Sequence, residues 1–129
     1  MRLTTWIRYA AALVAVLFGV ATIVAGTRVL AGADPGYVVF RPLLVYNTVM
    51  GLVYVAAGVL AWRTTRPGRN AAGAIFALNG VVLAAVGYLY SAGQAVAIES
   101  VRAMILRTVV WLVLWLALVW VHRAGGDSR

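Results

Sequence analysis

Polar and charged residues do not alternate with apolar ones along this chain; they gather at a few boundaries, and long apolar stretches run between them. Between Arg8 and Arg28 lie 19 uncharged residues, between Arg41 and Arg63 lie 21, and between Arg69 and Glu99 lie 29. A helix crosses a bilayer with about 20 apolar residues. The first two runs therefore predict one span each, and the third predicts a span followed by a helix stop at Ser91-Ala92-Gly93. The fourth run is short, with 14 residues between Arg107 and His122, so a fourth span has to begin near Val101 and carry Arg107 into the membrane. The expected spans are 7–26, 43–62, 71–90 and 101–121 of a single domain covering 1–129. The first segment also has the outline of a signal peptide, with Ala31-Gly32-Ala33 behind it. Its apolar run exceeds the ~7 to 15 residues usual there, which favours a span.

The fold class that follows is an all-α integral membrane protein, a compact four-helix transmembrane bundle. An even number of spans puts both termini on one side. The terminal segments and the Arg63-Thr64-Thr65-Arg66-Pro67-Gly68-Arg69 turn carry seven arginines, and the other two connections carry four. The positive-inside bias makes the termini cytoplasmic, in a bacterial-type inner membrane. Trp6, Trp62 and Trp120 then mark the inner interface, and Tyr37, Tyr88 and Tyr90 the outer one. The two outer connections are similar in length, and each places an acid (Asp34, Glu99) ahead of its last arginine and an aromatic (Tyr46, Trp111) after it. Two duplicated helical hairpins would give that echo, and so would chance similarity between two apolar hairpins.

Composition sharpens the picture mainly by exclusion. With 64% hydrophobic residues and 11% charged among 129, the chain has more apolar surface than a soluble domain of its size buries. The net charge of +8 comes from eleven basic residues, all arginine, spread over the ends of apolar runs instead of forming the contiguous face that nucleic acid requires. No cysteine or lysine is present, which removes thiol chemistry, thiolate metal sites and Schiff bases. The one histidine, His122, falls at the last helix end, and no metal or cofactor site is expected.

Small residues repeat at helical spacing. Span three carries Gly73, Ala77, Gly80, Ala84, Gly87 and Ser91; span one carries Ala12, Ala15, Gly19, Thr22 and Gly26; span two carries Gly51, Gly58 and Ala61. Lipid chains are as apolar as leucine, so membrane helices associate where small residues let backbones approach. The stripes predict a tight, left-handed bundle with little lumen, and span three, the most regular, is expected to be closely packed at Gly80. Trp111 and Trp115 on span four are expected mostly against lipid.

Polar groups inside a bilayer cost about 3 kcal/mol on insertion scales and are functional candidates. Asn79, near mid-membrane, reads as an amide bonding a neighbouring helix. Asn47 shares a helix face with Gly51, Tyr54 and Gly58. Arg107 either snorkels to lipid phosphates or holds a ligand, with Glu99 or Asp34 as counter-charge. Arg41, Tyr46, Asn47, Tyr88, Tyr90, Glu99, Arg102 and Arg107 all fall near outward helix ends. They form the candidate ligand-binding set: arginines for a carboxylate or phosphate, and aromatic rings for an apolar body. An aromatic belt with interface arginines would show the same residues. The first expected function is non-enzymatic binding of a lipid-like or other anionic amphipath, since acids and bases are too few to assign a reaction. The alternative is an accessory subunit, a homo-oligomer or part of a larger membrane complex; a small transporter ranks third. The expected partners are membrane lipids.

Overall fold

The computed structural model describes residues 3–125 as four helices: α1 (Leu3–Leu30), α2 (Arg41–Arg63), α3 (Thr65–Ser91) and α4 (Ile98–Gly125). Each is long and apolar enough to cross a membrane, and they pack as a bundle. All four extend beyond the predicted spans, because arginines and polar residues at the ends continue the helix past the apolar run. The largest difference is at Arg63–Arg69, expected as a turn. Only Thr64 leaves helical geometry there, with φ −147° and ψ 146°, and α3 starts at once. Pro67 accounts for the break: its ring would clash with the Arg63 carbonyl four residues back in a continuous helix, but it is tolerated in the first turn of a new one.

The other two connections open alike. At the end of α1, Gly32 (φ 114°) lets its N–H reach the Val29 carbonyl and the Ala33 N–H the Arg28 carbonyl, both at 3.0 Å. At the end of α3, Gly93 (φ 80°) bonds Tyr90 at 3.1 Å and Gln94 bonds Leu89 at 3.0 Å. Both are the left-handed glycine stop that satisfies the last helical carbonyls. The expected stop at Ser91-Ala92-Gly93 is found. Arg2, Asp127 and Arg129, which enter the charge count, lie outside the described residues.

α1 and α2 join through their small residues. Ala12, Ala15, Gly19, Thr22 and Gly26 are buried on one side, and Gly51, Gly58 and Ala61 on the other. A Cβ placed on Gly51 would sit 3.0 Å from the Gly19 carbonyl oxygen, and one on Gly58 2.9 Å from that of Ala12, so the backbones are in contact. α3 does not follow the expected pattern. Its buried positions are Thr65, Gly68, Ala72, Ile75, Asn79 and Val86, about one residue out of phase with the small stripe. A Cβ on Gly80 or Gly87 would meet nothing within 4 Å, and Ala77 and Ala84 are exposed. Gly73 alone of that stripe's glycines receives a neighbour, the indole of Trp115, which also stacks on Phe76 at 6.0 Å. Trp111 is likewise inside and not against lipid: it is 1% exposed, with its ring 4.9 Å from Tyr54. Tyr54, Asn79, Met104 and Trp111 fill the middle of the bundle. Trp6, Trp62 and Trp120 are exposed at the end bearing the termini, and Tyr37, Tyr88 and Tyr90 at the other.

Candidate functional site

At the end where α1 joins α2 and α3 joins α4, the helices α1, α2 and α4 leave a recess of about 110 Å³ between them. α1 contributes Thr22 and Gly26, the α1–α2 connection Tyr37, α2 Asn47, and α4 Ser100 and Arg107. Helical spacing places these side chains. Asn47 lies one turn from Gly51 on the face of α2 that meets α1, and Ser100, Ala103 and Arg107 follow one another at three and four residues along α4. Gly26 lets α1 close on α2 at the edge of this recess, since a Cβ there would collide with the Thr48 side chain.

Two of the residues lining this space each carry a buried polar atom with no protein partner. Arg107 Nε and Asn47 Oδ1 are both buried and form no hydrogen bond. Arg107 is nine residues into α4, roughly 14 Å from its first residue, so its guanidinium is drawn well away from the helix end. Other polar groups on these helices show the ordinary solution: the Thr108 hydroxyl donates to the Met104 carbonyl at 2.8 Å, and the Thr48 hydroxyl to that of Leu44 at 2.8 Å. Neither carboxylate expected to neutralise Arg107 does so among the described residues. Asp34 accepts the Gly36 N–H at 2.8 Å within the connection, and Glu99 is exposed. A donor with a fixed positive charge and an amide acceptor thus line one small space, an arrangement complementary to an anionic group that also carries a donor.

The expected site residues separate into three groups. Arg107 and Asn47 meet in the recess. Tyr46 turns away from it into the bundle, where its hydroxyl donates to Asn79 Oδ1 at 2.7 Å. Arg41, Tyr88, Tyr90, Glu99 and Arg102 are exposed around the same end of the molecule and do not line the recess. Thr22, Tyr37 and Ser100 were not among the expected ligand-binding residues. Ser100 had a signal, its seven-residue spacing from Arg107, and Thr22 lay on the small stripe; Tyr37 sits in an irregular connection that no periodicity places.

Asn79 behaves as expected of a bridging amide. Besides accepting from Tyr46, its Nδ2 donates to the Tyr54 hydroxyl at 3.0 Å, and that hydroxyl lies 3.3 Å from Oδ1. α3 is thereby tied to α2, with Trp111 of α4 lying over the Tyr54 ring. No group of three metal-ligating side chains occurs among the described residues. No protein-family model, curated protein or solved structure matches the chain.

Proposed function

We propose that this is an integral membrane protein that holds the anionic head of a membrane amphipath in the recess between α1, α2 and α4. The observation that carries the reading is the pair of buried, partnerless polar atoms, Arg107 Nε and Asn47 Oδ1, on two residues that line the same space. A buried guanidinium nitrogen without a partner is costly, and a carboxylate or phosphate would offset that cost with paired hydrogen bonds. Size limits the ligand: a recess of about 110 Å³ takes a headgroup, whereas sites enclosing a whole small molecule run to roughly 300–1,000 Å³. The apolar body lies outside it, in the bilayer. The arginine bias supports an orientation with cytoplasmic termini and the recess toward the outer leaflet of a bacterial-type inner membrane.

Arg107→Lys tests this reading. Lysine keeps the charge and can snorkel, but it lacks the planar paired donors. The variant is expected to fold and insert while losing an amphipath that co-purifies with the parent, as read by mass spectrometry of the detergent extract. Equal retention in both proteins removes Arg107 from a site and leaves it as an interfacial arginine. A second reading, an accessory subunit, is favoured by the uncovered small-residue face of α3 at Ala77, Gly80 and Ala84, which would let another membrane helix approach closely.

A further inference from the structure

The opposite end of the bundle holds a second feature, unrelated to the recess. Near the termini, α1 and α2 border a groove of about 300 Å³ lined by Ala12, Leu13, Val16, Gly58 and Val59. Its mouth is formed by Trp62 and Arg63. Arg8 is fixed beside them: its guanidinium lies 4.8 Å from the centre of the Tyr9 ring, Tyr9 packs on Trp62 at 4.4 Å, and Arg8 Nη1 donates to the Arg63 carbonyl at 3.5 Å. Arg63 thus lines one end of an apolar groove, and Arg8 stands beside it. Arg66, Arg69 and Arg123 stand at the same end of the bundle, and no acidic residue does so among the described residues.

We infer that this groove is a binding site for an anionic phospholipid of the leaflet at the termini, with an acyl chain along α1 and α2 and the headgroup phosphate between Arg8 and Arg63. The apolar walls exclude a soluble anion as the natural occupant, and the unopposed charge selects an anionic head over a zwitterionic one. Trp62 sits at the depth where an indole bridges chain and headgroup.

Native mass spectrometry of the full chain in mild detergent, titrated with phosphatidylglycerol or phosphatidylcholine, tests the assignment. The parent is expected to hold one phosphatidylglycerol in preference to phosphatidylcholine. The double variant Arg8→Gln/Arg63→Gln should weaken that binding by about 30-fold, from two arginines near a headgroup. Arg66→Gln/Arg69→Gln, which removes equal charge from the same end outside the groove, should change it by less than about threefold. Val59→Phe, filling an exposed part of the wall without touching a charge, should also lower affinity. The series is repeated in Arg107→Lys protein, so that a lipid held in the recess is not counted here. Equal losses in the two double variants, no preference between the lipids, or full binding by Val59→Phe would each overturn the site in favour of a diffuse basic belt.

Discussion

Replacing Asn79 with leucine removes the side chain that links α3 to two α2 tyrosines, and the cost can be worked from its bonds. Three contacts disappear: Tyr46 Oη to Oδ1 at 2.7 Å, Nδ2 to Tyr54 Oη at 3.0 Å, and Tyr54 Oη to Oδ1 at 3.3 Å. Interhelical hydrogen bonds in membranes average about 0.6 kcal/mol each, and the two Tyr54 contacts join one hydroxyl to one amide and count once, so the loss costs about 1 kcal/mol. The Tyr54 hydroxyl belongs to a fully buried residue, and stranding it adds about 1 kcal/mol or more. Asn79→Leu should therefore destabilise the bundle by about 2 kcal/mol, against about 0.6 kcal/mol for Tyr46→Phe, whose partner keeps a second hydroxyl. Because removing both partners of a buried bond costs less than removing one, adding Tyr54→Phe to Asn79→Leu should restore part of the lost stability. Denaturant titration in mixed micelles, followed by tryptophan fluorescence, reads all these variants, and Trp111, 4.9 Å from Tyr54, reports the site directly. Failure of Tyr54→Phe to recover stability in the Asn79→Leu protein would refute the account, since packing volume and not hydrogen bonding would then carry the loss.

Two glycines separate the packed and uncovered stripes. Gly58→Leu should cost at least about 1 to 3 kcal/mol, because its Cβ alone would lie 2.9 Å from the Ala12 carbonyl oxygen; Gly80→Leu, with nothing within 4 Å, should leave the thermal stability of the isolated protein unchanged. If α3 docks on another protein, Gly80→Leu will nevertheless lose a partner that co-purifies with the parent; retention of that partner would rule out this face. For orientation, a reporter active only in the cytoplasm should work when fused after Arg66 and fail after Gly93, and the reverse pattern would invert the protein in the membrane.

The number of helices and the identity of the bridging amide were legible because charge and amide groups are rare inside apolar runs, so Arg107, Asn47 and Asn79 stand out. The burial of α3 was not. In a membrane its outward face is as apolar as its inward one, so a glycine stripe shows where a close approach is permitted without showing that a neighbour takes it. The stripe on α1 found its partner in α2, while that on α3 did not: Asn79 and Ile75, one residue out of phase, turn toward the core instead. The recess was legible through its two polar residues, but the wider ring proposed around it was not. Depth along a helix places Tyr46 beside Asn47, yet consecutive residues point about 100° apart, which sends Tyr46 to Asn79 and leaves Asn47 on the α1 side.

The break at Thr64 fixes how the two hairpins can move. α2 and α3 are separated by one extended residue, whereas ten residues lie between α1 and α2 and six between α3 and α4. Thr65 is fully buried, and Gly68 brings α3 against Ala61, so the junction has no slack to slide. What remains is tilting about that point, and α2 is a lever of roughly 35 Å from Thr64 to its far end. A tilt of about ten degrees between the hairpins displaces that far end by roughly 6 Å. The recess lies there and draws walls from both hairpins, α1 and α2 on one side and α4 on the other, so its width is the dimension of the molecule most sensitive to the angle at Thr64.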